Sequence, residues 1–600
     1  RIVSLDADFL GREGNWVENV RRFSERRDIM KNDNFNRLYV VEGGLSLTGM
    51  NADYRLRLRP DFQPEFVKYL SEAISGSSPA STQNFARKYA MDKIKLEQLV
   101  KDLKENKGKT IVYAGSALPE EVHAAVNELN QILGAEKFYD FENTISGREL
   151  NSFEDFNELI SAIKNKKVGV VIHYDSNPAF QLPVDFAYAE ALKNVENVIS
   201  LAELENESSA LSNYVLPINN YLESWGDHQV RNNFISYQQP VISPLYNTRQ
   251  REEIILNWMN GKQDDDAYHK YLIENFEDKI ASEPSVDARR FWMSALHDGI
   301  AKLKSPKNYL ASNSGGSIDD AFGGSAGSSK KINSNEYVLQ LQQSYFIGDG
   351  RFANNGWLQE LPHPVSKITW DNYAAVSPGT AKELKINNYD LIEVTVNDSK
   401  MELPVFIQAG MADKLIVTEL GYGREICGDV GLGVGFNVNK FISSKYKMSP
   451  WIYKAKVKKS GGSYELAATQ EHHSLDDTFV KDFHKKREII RDVTLDEYRK
   501  DHHAIHEKEH AIFSITDDYE YTGNKWAMAI DLNKCISCGV CVTSCNVENN
   551  IPVVGKEQVI NGREMQWMRI DTYYSGTPED PQVSNQPMLC QHCDNAPCEN

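Results

Sequence analysis

Long apolar runs and an excess of basic residues are both missing from this chain. No run of about 18 apolar residues occurs, which predicts that no transmembrane helix is present. Lysine and arginine number 66 against 85 aspartates and glutamates, which gives a net charge of −19 at pH 7. Nucleic acid requires basic faces, so that class of partner is disfavoured. The negative charge either keeps the protein soluble or provides a surface that can bind a cationic partner protein.

Cysteine is nearly absent from most of the sequence. The chain has eight cysteines in 600 residues, and Cys427 is the only one in the first 534 positions. The other seven lie between positions 535 and 598. A protein stabilised by disulfide bonds would spread its cysteines along the chain, so this clustering favours a metal centre. The isolated Cys427 is predicted to be a buried small apolar residue.

Residues 1–304 alternate between strand-like and helical patterns. In KTIVYAGSALPEEVHAAVNELNQILG, a short apolar run at 110–113 predicts a strand, and a helix with a regular apolar stripe follows until Gly134. Ser152 is a candidate N-cap for the next helix. The run VGVVIHY after that helix predicts a strand buried on both faces. Such alternation predicts an α/β fold with a parallel sheet.

The rest of the chain divides by composition. Residues 305–334 are rich in serine and glycine, which predicts a linker without a packed core. Residues 335–460 contain β-type segments such as DLIEVTV and KMELPVFIQ between turn residues, which predicts a compact β-barrel. Residues 461–525 are charged and rich in histidine, which predicts a solvated connector. Residues 526–600 hold the clustered cysteines.

One stretch of the connector has histidines at a spacing that is also found in metal sites. His502, His506 and His510 recur at four-residue spacing, after a capping box of Thr494 and Glu497 that predicts a helix start. On a helix these three histidines would share a face. No carboxylate or cysteine pattern completes a ligand set, so a solvated helix is the favoured interpretation.

The run CISCGVCVTSC is the most specific motif in the chain. It places Cys535, Cys538, Cys541 and Cys545 at C-x2-C-x2-C-x3-C spacing. Zinc sites generally use two separated pairs of ligands, whereas three cysteines at successive two-residue gaps wrap a short loop around one iron–sulfur cluster. Gly539 suits a loop that must approach the cluster closely. In such a run the fourth cysteine ligates a second cluster.

The closing stretch CQHCDNAPC begins a second ligand set. It contains Cys590, Cys593 and Cys598 at a different spacing, and His592 between two of them is either a ligand or an exposed residue. A zinc site is the alternative interpretation of this set. At the other end, Arg1 leads directly into a strand-like segment. We therefore expect the sequence to be an internal piece of a longer protein.

Two stretches resemble the four-cluster ferredoxin subunits of the molybdopterin oxidoreductase superfamily: KWAMAIDLNKCISCGVCVTSCNVENNIPVVGKEQVINGREMQWMRID and CQHCDNAPCEN. Upstream, VVIHYDSNPAFQLP and ALSNYVLPINNYLESWGD are similar to the third domain of that superfamily's catalytic subunits. The segment WLQELPHPVSKITWDNYAAVSPGTAKELKINNYDLIEVTV is similar to their C-terminal barrel. Both parts fused in this order resemble the fused iron–sulfur subunits of alternative complex III, a bacterial quinol-oxidising respiratory complex.

This resemblance implies α/β molybdopterin oxidoreductase-like domains, with a parallel sheet and a β-barrel, followed by an α+β ferredoxin-like iron–sulfur domain. It implies three 4Fe-4S clusters and one 3Fe-4S cluster in the whole protein, and no molybdopterin. The implied role is electron transfer without a catalytic site in this chain. The implied location is the periplasmic face of the bacterial inner membrane. The implied partners are quinol-binding integral membrane subunits and c-type haem subunits.

The same resemblance marks a vestigial pterin site. In catalytic relatives, groups at the positions matching Asn177, Pro178, Glu223 and Gly226 contact the pterin nucleotide. A glycine-arginine element usually follows, but this chain reads DHQVRNNFISYQQP there. Two alternatives stay open at this point: an active molybdenum oxidoreductase fused to its own ferredoxin, and a structural scaffold joined to an unrelated zinc domain.

Overall fold

The structure is a computed structural model of the 600-residue chain. It describes residues 1–31, 35–76, 81–140, 143–144, 151–279, 288–302, 333–445, 449–471, 490–504, 522–524 and 526–590. Nearly all of the linker expected at 305–334 lies outside the described residues. So do His506, His510, His592, Cys593 and Cys598.

The helices of the described residues are numbered in chain order. They are α1 (Trp16–Arg26), α2 (Leu47–Met50), α3 (Gln63–Ser75), α4 (Thr82–Tyr89), α5 (Lys93–Glu105), α6 (Glu120–Ile132), α7 (Phe153–Lys164), α8 (Pro178–Gln181), α9 (Tyr188–Leu192), α10 (Arg251–Asn260), α11 (Ala267–Lys279), α12 (Ala288–Asp298), α13 (Gly356–Glu360), α14 (Pro378–Leu384), α15 (Leu495–Lys500), α16 (Val540–Glu548) and α17 (Lys556–Ile560). Short 3-10 helices occupy Pro60–Phe62, Glu136–Phe138, Val184–Phe186, Ser209–Leu211, Tyr221–Glu223 and Val438–Phe441.

The strands of the described residues are numbered in the same way. They are β1 (Ile2–Leu5), β2 (Leu38–Glu42), β3 (Tyr54–Arg57), β4 (Ile111–Ala114), β5 (Val170–Tyr174), β6 (Asn197–Ala202), β7 (Tyr214–Pro217), β8 (Gly226–Arg231), β9 (Phe234–Gln238), β10 (Ile300–Lys302), β11 (Tyr337–Gln342), β12 (Ile368–Thr369), β13 (Ala374–Val376), β14 (Asp390–Val396), β15 (Ser399–Ile407), β16 (Leu415–Glu419), β17 (Ile452–Ser463), β18 (Ala467–Ala468), β19 (Met568–Gly576) and β20 (Pro581–Leu589).

The first sheet is parallel, as the sequence predicts. Its strand order is β3-β2-β1-β4, and Ile2 of the central strand β1 lies opposite Leu38 on one side and Ile111 on the other. Helices α3 and α6 pack together against it, around a core that includes Leu5, Tyr39 and Leu70. The helix after β4 forms because its apolar residues return every three to four positions and its first turn is acidic.

A second parallel sheet, of order β5-β6-β7, corrects one prediction. The strand from VGVVIHY is not buried on both faces, because Val170 of β5 is 52% exposed and Ile172 is 42% exposed. The apolar cluster of α7 and α9 covers the opposite face, where His173 is buried. An apolar run predicts a strand, but it does not predict whether one face or both faces of that strand are covered by other elements. The predicted cap of α7 is confirmed, since the Ser152 hydroxyl accepts a hydrogen bond from the backbone N–H of Asp155.

The predicted β-barrel is confirmed. Six strands close in the order β11-β16-β13-β15-β14-β17 and run from Tyr337 to Ser463. Residues that alternate along these strands fill the interior, among them Leu339, Ile392 and Leu403. On β11 the interior residues Leu339 and Leu341 alternate with Val338, which packs into the core of the first sheet. The barrel and the first sheet are therefore joined by a shared apolar contact.

The connector helix is shorter than the histidine spacing suggests. The capping box of Thr494 and Glu497 is present at the start of α15, as predicted. The helix ends at Lys500, because Asp501 adopts an extended conformation. The prediction that His502 lies on the helical face is wrong, and its ring instead lies edge-on to Tyr498.

The described part of residues 526–600 docks on the first half of the chain. It comprises α16, α17 and the antiparallel hairpin β19–β20, in which Met568 lies opposite Leu589. The ferredoxin-like fold of this segment stays a prediction. The indole N–H of Trp357 donates to the carbonyl of Ile551 at 2.7 Å, and the Glu360 carboxylate accepts the backbone N–H of Gly555 at 2.8 Å. None of the helices in the described ranges has the length and apolar character of a membrane span.

Replacing Glu360 should loosen this docking. Its carboxylate is 7% exposed and accepts the N–H groups of Val554 and Gly555 and the Trp370 indole N–H. Glu360→Ala leaves those donors without an acceptor, so we expect a loss of about 2 kcal/mol and faster amide exchange at residues 551–556. Hydrogen–deuterium exchange measures this. The exposed Glu557→Ala on the same segment is the control, and equal exchange in both variants would refute the role of Glu360.

Candidate metal centre

The first three cysteines of the run lie on a curled loop and on the start of a helix. The loop spans residues 535–539 and leads into α16, which carries Cys541 and, one turn later, Cys545. Ser537 and Gly539 both have left-handed backbone conformations, with φ of 68° and 78°. Glycine adopts this conformation readily, whereas it is uncommon for serine and marks a loop held by its surroundings.

The thiols of this loop lie close enough to affect one another. Burial raises the pKa of the Cys541 thiol, and Cys538 and Cys535 raise it further. Burial likewise raises the pKa of the Cys535 thiol, while a hydrogen bond from the backbone N–H of Ser537 lowers it. None of these thiols, nor that of Cys545, is in a disulfide bond. Thiols that interact with one another beside backbone N–H donors are the kind of donor set that an iron–sulfur cluster uses.

Two buried polar atoms near the thiols lack a hydrogen-bond partner. They are the hydroxyl oxygen of Ser537 and the amide oxygen of Asn546, whose residues are 2% and 4% exposed. A buried polar group without a partner is costly. The Ser537 hydroxyl lies between Cys535 and Cys538 and fits a group that donates to a bound cluster, whereas the amide oxygen of Asn546 can only accept. The residues present therefore fit an iron–sulfur cluster.

The thiols do not converge as a finished ligand set. Among the residues that the structure describes, no three histidine, cysteine or acidic side chains form a compact metal-binding group. Cys545 is half-buried and its sulfur lies 3.6 Å from the side-chain nitrogen of Asn549. Cys590 follows β20 and is exposed. The ligand assignments of these cysteines, and of Cys593 and Cys598, stay predictions.

The α/β region holds the cysteine loop from the other side. Ile536 is buried in an apolar cluster and Cys538 packs against that cluster, whose other members come from the first 50 residues and from Val365. The Asn51 side chain donates to the carbonyl of Ile536 at 3.1 Å. The Lys534 ammonium pairs with Asp28 at 2.7 Å. These contacts hold the loop in place, and no sequence motif predicts them.

The residues proposed as a vestigial pterin site are engaged within the chain. Asn177 donates to Glu207 at 2.6 Å and accepts from the backbone and hydroxyl of Ser208. Burial disfavours the ionised form of Glu207, but bonds from Arg424 and Asn177 outweigh it and lower the pKa of that carboxyl to about 2. Pro178 begins α8 and offers no N–H donor.

The other two vestigial candidates lie between β7 and β9. The Glu223 carboxylate accepts the backbone N–H groups of Asn220 and Leu245, at 3.0 and 2.9 Å. Gly226 is the first residue of β8 and pairs with Gln238, where an added Cβ would meet only ordinary contact at 3.5 Å. The Glu223 carboxylate is thus engaged within the chain, and Gly226 has no side chain.

A cavity of about 160 Å³ lies at the carboxyl edge of the first sheet, against β11 of the barrel. This edge is where α/β proteins generally bind ligands. Its charged lining comprises Asp6, Asp8, Glu13, Glu42 and a single basic residue, Arg12. Arg12 is already paired with Asp8 and Glu419. Acidic side chains therefore outnumber basic ones in this lining, although burial raises the pKa of both Asp6 and Glu13 and so favours their neutral forms.

Cys427 lies apart from these groups. It is 4% exposed, and burial raises the pKa of its thiol. Its sulfur lies 3.8 Å from the carbonyl oxygen of Gly428, at a point where the chain passes close to Gly431. The structure thus agrees with the expectation of a buried small residue.

No protein-family model matches the chain. It is 34% identical over 89 residues to the Hdr-like menaquinol oxidoreductase iron-sulfur subunit 1 of Archaeoglobus fulgidus, covering 12% of this chain and 32% of that protein. It is 37% identical over 71 residues to the arsenate respiratory reductase iron-sulfur subunit of a Shewanella species, covering 12% and 26%. It is 33% identical over 76 residues to the menaquinone reductase iron-sulfur cluster-binding subunit of Nitratidesulfovibrio vulgaris, covering 12% and 29%. The chain spans less than a third of the length of each.

Among solved structures, acetylene hydratase from Pelobacter acetylenicus has a similar fold. The TM-score is 0.52 at 13% sequence identity, and the match covers 76% of this chain and 78% of that one. At this identity the likeness concerns the fold alone. It supports the arrangement of a parallel sheet and a six-stranded barrel.

The loop cysteines should be required for metal binding and Cys427 should not. We expect Cys538→Ser in the full-length protein to lose most of the iron bound by wild type, because it removes one thiolate of a shared site. Cys427→Ser is the matched control and should keep the wild-type content. Iron determination per chain provides the measurement. Equal iron content in both variants would exclude the loop as a ligand source.

Asp6 should make stability depend on pH. Burial raises the pKa of its carboxyl from 3.8 to about 7, although Gln63 and Gly43 donate hydrogen bonds to it. The folded chain thus keeps a proton that the unfolded chain releases, so this contribution falls as the pH rises from about 4 to 7. The free energy of unfolding of Asp6→Asn should rise relative to that of wild type across this pH window. The expected gain is about 1.4 kcal/mol for each unit by which the pKa of Asp6 is raised.

Urea unfolding at several pH values between 4 and 8 measures the difference between Asp6→Asn and wild type. The exposed Glu557→Gln is the control, and its difference from wild type should stay flat. A flat difference for Asp6→Asn as well would show that Asp6 ionises in the folded chain as it does in water.

Proposed function

We propose that this chain is an iron–sulfur electron-transfer subunit of a quinol-oxidising respiratory complex of the alternative complex III type. The observation that carries the proposal is the loop of Cys535, Cys538 and Cys541, with interacting thiols and a backbone N–H bond to sulfur. When bound, an iron–sulfur cluster accepts and releases single electrons.

The relatives support the redox part of this proposal. Their names describe iron–sulfur subunits, and two of them name menaquinol or menaquinone as the substrate of their complexes. Seven of the eight cysteines of this chain lie in the segment that would carry such clusters. Electron transfer linked to a quinone is therefore the best-supported role.

Particular residues would hold the clusters. Cys535, Cys538 and Cys541 would ligate one cluster, and Cys545 would reach a second. Cys590, Cys593 and Cys598 would belong to another. The complete protein would carry three 4Fe-4S clusters and one 3Fe-4S cluster. Around the first loop, Ile536 and the apolar cluster from the α/β region would exclude water, which raises the strength of every charge interaction with the site.

The first half of the chain would carry no molybdopterin under this proposal. The polar atoms of Asn177 and Glu223 are already bonded within the chain. The cavity at the carboxyl edge of the first sheet is lined by four carboxylates and one arginine. Both observations argue against a bound dinucleotide with its phosphates, and they favour a role as scaffold for the cluster-bearing segment.

The partners and location are part of the proposal. Integral membrane subunits would oxidise the quinol, and c-type haem subunits would receive the electrons. The chain would lie on the periplasmic face of the bacterial inner membrane. Its net charge of −19 suits docking on basic surfaces of such subunits.

An active molybdenum oxidoreductase fused to its own ferredoxin is the second candidate. The fold likeness to acetylene hydratase, an enzyme, favours it, because that match covers 76% of this chain. A chain of this kind would need a cofactor site open to substrate in its first half. The two candidates differ in which metals the protein holds.

Metal analysis of the full-length protein, isolated with its partner subunits, distinguishes them. We expect iron and acid-labile sulfide in comparable amounts, with neither molybdenum nor tungsten bound in stoichiometric amount. Stoichiometric molybdenum or tungsten would replace the proposal with the second candidate. Zinc without iron would overturn both and indicate a structural zinc domain.

A further inference from the structure

Lys367 is a buried lysine that the proposed function does not yet use. It belongs to the turn between α13 and β12, and its side chain is only 3% exposed in a backbone conformation with φ of 63°. The turn is held by hydrogen bonds: the N–H of Lys367 donates to the carbonyl of His363 at 2.9 Å, and the N–H of Thr469 donates to the carbonyl of Lys367 at 3.0 Å. The ammonium group is therefore fixed in place by the fold.

No carboxylate of the described residues forms an ion pair with this lysine. Its ammonium donates one hydrogen bond, to the carbonyl of Pro364 at 2.8 Å, and forms no ion pair with any residue that the structure describes. Asp571 acts on it electrostatically, but that carboxylate is already bound by Arg569 at 3.0 Å. Burying an unpaired ammonium is costly, and burial accordingly lowers the pKa of Lys367 to about 7.

The other described group that interacts electrostatically with Lys367 is the first cysteine of the loop, Cys535. The Cys535 thiol acts on the Lys367 ammonium, and the ammonium in turn favours the thiolate form of Cys535. The two segments are also in apolar contact, because Val365 belongs to the cluster that contains Ile536 and packs against Cys538. The Tyr574 hydroxyl, on the strand that also carries Asp571, donates to the carbonyl of Val365 at 3.4 Å.

We propose that Lys367 is the built-in counter-charge of the cluster held by Cys535, Cys538 and Cys541, and that it raises the reduction potential of that cluster. This inference rests on the proposed iron–sulfur function. A cluster ligated by thiolates is anionic and gains a further negative charge on reduction, so a fixed buried cation stabilises the reduced form more than the oxidised form.

This role would give the part of the chain before residue 526 a direct part in electron transfer. Lys367 lies outside the cysteine-rich segment, on the turn that follows α13. The docking that fixes the cysteine loop also brings this cation to it. A ferredoxin segment detached from residues 1–525 would lose this charge, and its first cluster would have a lower reduction potential.

The test is an EPR-monitored redox titration of the full-length protein in its complex. Lys367→Met removes the charge at nearly constant shape. We expect it to lower the midpoint potential of one cluster and to leave the others unchanged. A tenfold fall in the ratio of reduced to oxidised cluster at a fixed potential corresponds to about 59 mV for a one-electron couple. We expect a shift of at least that size.

Two matched variants complete the design. Lys367→Arg keeps the charge and should retain the wild-type potential. Lys556→Met removes a lysine of the docked segment 526–600. That lysine is paired with Asp371 at 2.7 Å, and its removal should shift no reduction potential. If Lys367→Met does not accumulate, Lys367→Gln serves in its place, since it also lacks the charge.

The outcomes separate this inference from the proposed function. Iron–sulfur signals whose potentials are the same in wild type and in the uncharged Lys367 variant would overturn the role of Lys367 and leave the proposed function standing. An equal shift in Lys367→Arg would also overturn it, because a steric effect would then explain the change. Wild-type protein without any iron–sulfur signal would overturn the proposed function itself and this inference with it.

Discussion

The placement of the cysteine loop depends on its docking against the α/β region. Ile536 enters an apolar cluster built from the first 50 residues, and Asn51 and Asp28 bind the loop through its backbone and through Lys534. Residues almost 500 positions apart thus form one core, and the left-handed conformation at Ser537 persists because this core surrounds it. The loop that the proposal assigns to a cluster is therefore packed by residues from distant parts of the chain.

That dependence explains what the sequence could predict. The parallel sheet, the barrel and the caps at Ser152 and Thr494 follow from local spacing and capping chemistry, which a sequence displays directly. The cysteine spacing identified the loop for the same reason. The exposed face of β5 was missed, because an apolar run does not reveal whether a neighbour covers it. Lys367 was missed because nothing local distinguishes one lysine from the other basic residues.

The first half of the chain contains a parallel sheet whose carboxyl edge borders a cavity. Its carboxyl-edge cavity is acidic, and the polar atoms of Asn177 and Glu223 are bonded within the chain. Apolar residues from the first 50 positions and Val365 form the surface on which the cysteine loop packs. That surface positions the cysteine loop, and the turn that carries the buried Lys367 lies beside it. The fusion of the two halves would then serve the redox properties of the clusters.

The proposed function requires an iron–sulfur cluster in the cysteine loop, where that loop meets the α/β region. Anomalous diffraction from crystals of the full-length protein, recorded on both sides of the iron absorption edge, would locate such a cluster. We predict an iron peak enclosed by Cys535, Cys538 and Cys541, on the side of the loop that faces Lys367. Iron absent from that position, or a molybdenum signal at the acidic cavity of the first sheet, would contradict the proposal.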